Sequence, residues 1–83
     1  MPDLPLMEMN RSNRISEGVF SEMARKWPSV LVARTEIEKF TGGMIRPKYM
    51  ANLDSLGLGP ARIFIGRRVG YPIKDLIDWL RQR

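Results

Sequence analysis

Cysteine and histidine are both absent from this chain of 83 residues. Without cysteine there is no disulfide and no thiolate ligand, and without histidine there is no imidazole to bind a metal or to act as a general base. Most nucleophile and base pairs of enzymes need one of these two side chains. We therefore expect a protein that is not an enzyme and that uses no cofactor or metal.

Long apolar runs are also missing. No stretch approaches the roughly 20 apolar residues that a membrane-spanning helix requires, and the opening sequence MPDLPLMEMN lacks the basic start of a secretion signal. We expect a soluble, cytoplasmic protein with no membrane partner. A chain of this length forms one small domain with a barely sufficient core, so self-association or a bound partner would add support.

Acidic residues are scarce in only one part of the chain. The formal net charge is +5. Residues 1–41 are balanced, with six bases and six acids. Residues 42–71 contain a single acid, Asp54, against five bases: Arg46, Lys48, Arg62, Arg67 and Arg68. A local basic excess of this kind is expected of a segment that meets a polyanion.

The chain divides into a short arm and one domain. Residues 1–14 show neither a helical nor a strand period and are predicted to form a flexible N-terminal arm, either a basic arm that reaches phosphate or a frayed terminus. Residues 15–83 are predicted to form a single domain. It opens with an amphipathic helix over 16–27, and the β-branched run 29–33 has the character of a strand that can join a hairpin.

The pattern from Thr35 onward predicts two helices joined by a tight turn. Thr35 and Glu38 fit a capping box at the start of a helix that buries Ile37 and Phe40. The pair Gly42-Gly43 ends this helix, since glycine readily takes the left-handed conformation of a sharp turn.

The second helix is expected to begin at Pro47, whose fixed φ suits the first helical position. Its buried side is predicted to consist of Met50, Leu53, Leu56 and Gly57. Its outward side carries Lys48, Ala51, Asn52 and Ser55, with Tyr49 on the flank. Small or hydrogen-bonding groups of this kind suit close approach to another surface.

A hairpin and a closing helix follow the break at Gly57-Leu58-Gly59-Pro60. Residues 61–65 and 68–71 flank Gly66-Arg67, whose leading glycine suits a type II′ turn. The tip carries Arg67 and Arg68, and the residues predicted to face the helices are Ile63, Ile65, Val69 and Tyr71. The closing helix is predicted to bury Ile73, Leu76, Ile77 and Leu80. The predicted fold class is mainly α with a small β-hairpin wing, that is, a winged helix-turn-helix.

These motifs resemble those of the small winged-helix proteins of the excisionase type, which are related to the DNA-binding domains of MerR regulators. The likeness lies in the TGG turn, the segment RPKYMANLDSLGLGP, the hairpin IFIGRRVGYP and the closing DLIDWL, which together span over half of the chain. It implies a recognition helix in the major groove and a wing on the flanking minor groove or backbone. It also implies adjacent binding to repeated sites, bending of DNA, and assistance to an integrase.

The chain departs from this pattern at the start of the recognition helix. Many members begin that helix with serine followed by basic residues, whereas this chain has Arg46, Pro47 and Lys48. Asn52 stands where arginine is common. Asparagine can pair with an adenine edge through two hydrogen bonds, and Arg46 can serve either guanine or phosphate.

The leading hypothesis is a sequence-specific DNA-binding accessory protein of the excisionase, or recombination directionality factor, type. It would bind and bend double-stranded DNA without catalysis, with an integrase or recombinase and adjacent copies of itself as further partners. The residues expected to read the groove are Lys48, Tyr49, Asn52 and Ser55. Those expected to hold phosphates or the minor groove are Arg46, Arg62, Arg67 and Arg68.

Two other functions stay open. A small transcriptional regulator of a prophage or other mobile element would have the same DNA-binding features. A protein-interaction module is an alternative of another class, in which Phe20, Trp27 and Trp79 would remain exposed.

Overall fold

The computed structural model describes residues 16–83, and the arm predicted at residues 1–14 lies outside them. Roughly half of the described residues are helical, and the rest of the regular structure is one small antiparallel sheet. In chain order the elements are α1 (16–26), β1 (Leu31–Ala33), a 3₁₀ turn (Arg34–Glu36), α2 (Ile37–Phe40), α3 (Pro47–Ser55), β2 (Ile63–Ile65), β3 (Arg68–Pro72) and α4 (Ile73–Arg81). The expectation of a mainly helical chain with a small hairpin is confirmed at this level.

The sheet has three strands in the order β1-β3-β2, so β3 lies in the middle. The strand predicted over 29–33 is confirmed as β1, which pairs antiparallel with β3 and sets Val32 opposite Tyr71. Both side chains are fully buried. The short strand therefore completes the sheet and contributes to the core.

The hairpin between β2 and β3 has the predicted two-residue loop. Gly66 has a φ of 62°, and Arg67, like the other described non-glycine residues, has a negative φ. This combination belongs to a type II′ turn. The loop sets Ile65 opposite Arg68 and Phe64 opposite Val69.

That register contradicts the prediction that Ile63 and Ile65 face the helices. Directly opposite residues share a face of a sheet and successive residues alternate, so Phe64 lies on the face of Val69 and Tyr71. Ile63 and Ile65 lie on the other face and are 38% and 66% exposed. The prediction was wrong because it placed Ile63 and Ile65 on the same face as Val69, whereas the residue between them, Phe64, is the one opposite Val69.

The core lies between the sheet and the helices. Its buried members are Val32, Ile37, Phe40, Met50, Tyr71, Leu76 and Ile77. From α1, Phe20, Met23 and Trp27 pack against this cluster and are partly buried. Trp27 meets Phe40 edge to face at 5.1 Å between ring centroids, and its Nε1 donates to the Leu31 carbonyl at 2.8 Å.

The turn between α2 and α3 is organised by Thr41. Its Oγ1 donates to the Ile37 carbonyl at 2.9 Å and accepts the Ile45 N–H at 3.0 Å. Gly42 and Gly43 have φ angles of 66° and 87°, in the left-handed region that favours glycine. The capping box predicted at Thr35 and Glu38 is wrong, because a 3₁₀ turn precedes α2 and neither element has a side-chain cap.

Helix α3 begins at Pro47, as predicted. It buries Met50 and Leu53, but its third buried residue is Asp54, whereas Leu56 and Gly57 are exposed. Helix α4 buries Leu76 and Ile77, with Ile73 and Leu80 partly buried against the core as its period predicted. Among the described residues, no helix combines the length and the apolar character needed to cross a bilayer.

Candidate functional site

The outward side of α3 is polar and accessible. Lys48, Tyr49, Asn52 and Ser55 are all exposed, while Met50 and Leu53 fix the opposite side in the core. The Ser55 hydroxyl donates to the Asn52 carbonyl at 2.8 Å. This side of the helix therefore offers an ammonium, an amide and two hydroxyl groups to a second molecule, as its spacing predicted.

A groove of about 660 Å³ runs beside this helix. Apolar side chains of Met44, Ile45 and Leu80 line it together with Gly43 and the polar residues Arg46, Lys48, Tyr49, Asn52 and Arg83. Within the part of the chain that the structure describes, no acidic side chain lines the groove. It therefore combines an apolar part with cationic and hydrogen-bonding groups.

Arg83 was missed by the sequence reasoning. Its Nη2 donates to the Tyr49 hydroxyl at 2.8 Å, and its guanidinium carbon lies 4.5 Å from the centroid of the Trp79 ring. Trp79 in turn donates to the Leu58 carbonyl at 3.0 Å. The available signal was that Arg83 follows Trp79 by four residues, the spacing at which helical side chains meet, although α4 ends two residues earlier at Arg81.

Arg46 stands at the start of α3 and is exposed. Its Nε lies 3.9 Å from Glu38 Oε2, at the outer limit of an ion pair. An exposed contact of this length contributes little free energy. The Arg46 guanidinium can therefore leave Glu38 and bind an anion that attracts it more strongly.

The hairpin tip places Arg67 and Arg68 beside the 3₁₀ turn. A cleft of about 240 Å³ lies there, lined by Ala33, Arg34, Thr35, Arg67, Arg68 and Val69. Neither tip arginine forms an ion pair with any residue of 16–83. The structure thus brings the two arginines of the hairpin tip to a third arginine, Arg34, from the charge-balanced half of the chain.

Arg62 does not join this group. Its Nη1 lies 3.8 Å from Asp54 Oδ1, and its guanidinium carbon lies 5.7 Å from the centroid of the Phe64 ring. Arg62 therefore makes contacts within the chain, and the phosphate contact expected of it from the sequence stays a prediction. The cause of these contacts is the buried carboxylate of Asp54, which attracts the nearest cations.

Asp54 is the centre of a polar network below the surface. Its side chain is 4% exposed, and its Oδ2 accepts hydrogen bonds from Arg34 Nη2 and from the Tyr71 hydroxyl, both at 2.6 Å. Arg34 Nε donates to the Tyr71 oxygen at 3.1 Å. The network joins the 3₁₀ turn, α3 and β3, the three elements that carry or support the candidate site.

The network also changes the protonation of its members. Burial raises the pKa of the Tyr71 phenol, the hydrogen bond from Arg34 opposes that rise, and the Asp54 carboxylate adds to it. The hydrogen bond to Tyr71 is the main cause that raises the pKa of Arg34, against the effect of burial and with further help from Asp54. Arg34 therefore remains a cation and Tyr71 a neutral hydroxyl at neutral pH.

Burial of Asp54 decides the surface charge of the basic segment. Asp54 is the only acid of residues 42–71, and it is buried. No carboxylate of that segment is therefore presented to a partner. The candidate site is an array of cations, amides and hydroxyls suited to an anion, and residues 16–83 contain no cluster of three or more His, Cys, Asp or Glu residues for a metal.

Comparisons with protein-family models, with curated proteins and with solved structures found no match to this chain.

Proposed function

We propose that the chain is a winged helix-turn-helix protein that binds double-stranded DNA sequence-specifically and acts without catalysis. In this proposal α2, the glycine turn and α3 form the helix-turn-helix, and the β2-β3 hairpin is the wing. The observation that carries it is that, among residues 16–83, the groove beside α3 and the cleft beside the hairpin are lined by six cationic residues and no acidic one. Clustered cations of this kind match the phosphate backbone.

The roles of the residues follow from their chemistry. Lys48, Tyr49, Asn52 and Ser55 on α3 would contact base edges, with Asn52 suited to the N6 and N7 atoms of adenine. Arg46, Arg67 and Arg68 would hold phosphates and so set the orientation of the protein on the duplex. Arg83, beside Tyr49, is a further cation available to this surface. Arg62 would contribute less to phosphate binding because its guanidinium already contacts Asp54 and Phe64.

The excisionase type of function is the preferred biological role. In that role the protein would bind adjacent sites, bend the DNA and assist an integrase or recombinase. A small transcriptional regulator of a mobile element would have the same hairpin and recognition-helix motifs and stays the alternative role. Footprinting on the DNA that flanks the gene distinguishes the two, since adjacent repeated footprints next to an integrase site favour the excisionase role.

The decisive experiment measures duplex binding over a series of salt concentrations. We expect the affinity of the wild-type chain to fall steeply as salt rises, because bound phosphates release counterions. The double variant Arg67→Ala, Arg68→Ala should bind all sequences more weakly and reduce the slope of log affinity against log salt by about 2.

Arg25→Ala is the matched control. Arg25 is an exposed arginine on α1 that pairs with Glu22 at 2.7 Å, so its removal should leave the slope unchanged. A wild-type chain with no salt-dependent affinity for duplex DNA would refute the proposed function. Equal slopes in the wild type and the double variant would refute the role of the wing.

A protein-interaction module is the second candidate, and the apolar side chains of β2 favour it. Phe64 and Ile65 are exposed, whereas Phe20, Trp27 and Trp79 are partly buried. This function predicts complex formation with a protein that is insensitive to salt and is weakened by Phe64→Ala. It also predicts no change in the amide signals of residues 46–68 when DNA is added.

A further inference from the structure

The cleft between the 3₁₀ turn and the hairpin tip has an unusual charge. Three of its six lining residues are arginines, namely Arg34, Arg67 and Arg68, and none is an acid. Like charges gathered around one concavity repel one another, and the repulsion is relieved when an anion enters. Asp54 compensates Arg34 from below, but Arg67 and Arg68 have no acidic partner within residues 16–83.

Arg34 is held in place before any ligand arrives. Its Nε donates to Tyr71 and its Nη2 donates to Asp54. A guanidinium has five N–H groups, so donors on Nη1 remain for another acceptor. The side chain is 26% exposed and therefore accessible from the cleft. A fixed donor loses little conformational entropy on binding, which favours a ligand at this position.

Thr35 adds a neutral donor beside the three cations. It lies in the 3₁₀ turn, is exposed, and its hydroxyl caps neither that turn nor α2. The hydroxyl can donate one hydrogen bond to an oxygen acceptor. Guanidinium and hydroxyl donors around a small concavity suit a tetrahedral oxyanion with several acceptor oxygens.

We propose that this cleft is a binding site for one phosphate group, held by Arg34, Thr35, Arg67 and Arg68. The inference rests on the proposed function in one respect, since a DNA backbone phosphate is the expected source of the group. Free phosphate or a phosphate monoester carries the same chemistry. The site assigns a binding role to Arg34 and Thr35, which lie outside the basic segment of the sequence.

The test is an NMR titration of the full chain with inorganic phosphate at constant ionic strength, with sodium chloride as the replaced salt. Phosphate should cause saturable shifts in the amide signals of residues 33–35 and 67–69, and chloride alone should not. Arg68→Ala should weaken phosphate binding at least several-fold, and Thr35→Val should weaken it less. Arg25→Ala on α1 should bind phosphate as the wild type does.

A second titration identifies the source of the phosphate. A mixed-sequence duplex should displace inorganic phosphate from the cleft of the wild-type chain if the backbone supplies the group. Phosphate binding without displacement supports a free phosphate ligand at the same site and counts against the wing part of the proposed function.

The outcomes of these titrations separate this inference from the proposed function. The inference is overturned if inorganic phosphate produces no saturable shifts at residues 33–35 and 67–69, even when the duplex binds elsewhere on the chain. It is also overturned if Arg68→Ala binds phosphate with wild-type affinity. If phosphate binds in the cleft and no duplex binds at all, the site stands and the proposed function fails.

Discussion

Asp54 and its neighbours show how single residues support the candidate site. A carboxylate in this buried position is stable only with opposite charges and hydrogen bonds close to it, and Arg34, Tyr71 and Arg62 supply them. Its Oδ1 accepts no hydrogen bond from the described residues. The space beside that oxygen is left by Gly59, which has no side chain.

Substitution of Gly59 is therefore expected to destabilise the fold. A Cβ built at this position lies 2.0 Å from Asp54 Oδ1, and two hydrogen bonds on Oδ2 prevent the carboxylate from turning away. Gly59→Ala should lower the free energy of unfolding by about 1–3 kcal/mol, as overpacking does. Urea unfolding followed by circular dichroism measures the change.

Gly18 provides the matched control for Gly59. It lies in α1, is exposed, and a Cβ there meets nothing within 4 Å. Gly18→Ala should raise the free energy of unfolding by about 0.5–1 kcal/mol, because alanine favours a helix. Similar effects of the two substitutions would contradict the close contact at Asp54.

Tyr71 is expected to make stability depend on alkaline pH. The phenol has a raised pKa in the folded chain, so the unfolded chain releases its proton first. The stability contributed by the neutral phenol is complete below pH about 10, the ordinary tyrosine pKa, and is lost as pH rises through the raised folded pKa. The free energy of unfolding should therefore decline above that pH.

The variant Tyr71→Phe tests this dependence. Phenylalanine removes the titrating group and the hydrogen bond to Asp54, so we expect lower stability at neutral pH, by about 1–3 kcal/mol, and a shallower decline above pH 10. Tyr49→Phe changes an exposed tyrosine and should keep the wild-type decline. An unchanged alkaline slope in Tyr71→Phe would assign the dependence to other groups.

At the scale of elements, the turn between α2 and α3 sets the position of the outward-facing helix. Thr41 closes this turn through hydrogen bonds to both of its sides, at Ile37 and at Ile45. The sequence predicted instead that the Thr35 hydroxyl would form a side-chain hydrogen bond, as the cap at the start of the first of these two helices. The structure has a 3₁₀ turn at Thr35 instead, with no side-chain cap.

The two threonines give a direct test. Thr41→Val keeps the shape of the side chain and removes both hydrogen bonds, so it should lower the free energy of unfolding by about 1–3 kcal/mol. Thr35→Val should change stability by less than about 0.5 kcal/mol, as surface substitutions usually do. Thermal unfolding measures the stability of both variants. A larger loss of stability in Thr35→Val than in Thr41→Val would support the capping box predicted from the sequence.

At the scale of the whole molecule, the network around Asp54 sorts the basic residues into two groups. Arg34 and Arg62 share the buried carboxylate, whereas Arg67 and Arg68 stand at the hairpin tip and pair with no acid of residues 16–83. The charge presented to a partner is therefore set by the folded chain and differs from a count along the sequence.

Single arginine variants test this sorting. Arg68→Ala should reduce the salt slope of duplex binding by about 1, as the loss of one phosphate contact does. Arg62→Ala should leave that slope nearly unchanged, because its guanidinium lies beside Asp54. Fluorescence anisotropy with a labelled duplex measures both slopes, and a larger effect of Arg62→Ala would show that it leaves Asp54 for the DNA.

Much of the architecture was predictable from local signals. Pro47 marks the start of α3 because proline fixes φ near the helical value. Paired glycines mark the turn before it, and Gly66 marks the hairpin, because glycine readily takes a positive φ that other residues avoid. The face of the hairpin was predicted incorrectly. The two-residue loop determines which residues oppose each other, and that rule places Ile63 and Ile65 away from Val69.

The sequence by itself determined where the helices and strands lie and that residues 42–71 carry the basic excess. Both follow from residues that are near one another along the chain. Only the tertiary structure decided that Asp54 is buried with Arg34 and Tyr71, that Arg62 lies beside it, and that Arg83 reaches Tyr49. These partners are far apart in sequence, and the packing of α3 against the 3₁₀ turn and of α4 against β3 brings them together. Because a buried carboxylate needs opposite charges close to it, Asp54 holds Arg34 and Arg62, and Arg67 and Arg68 remain at the surface.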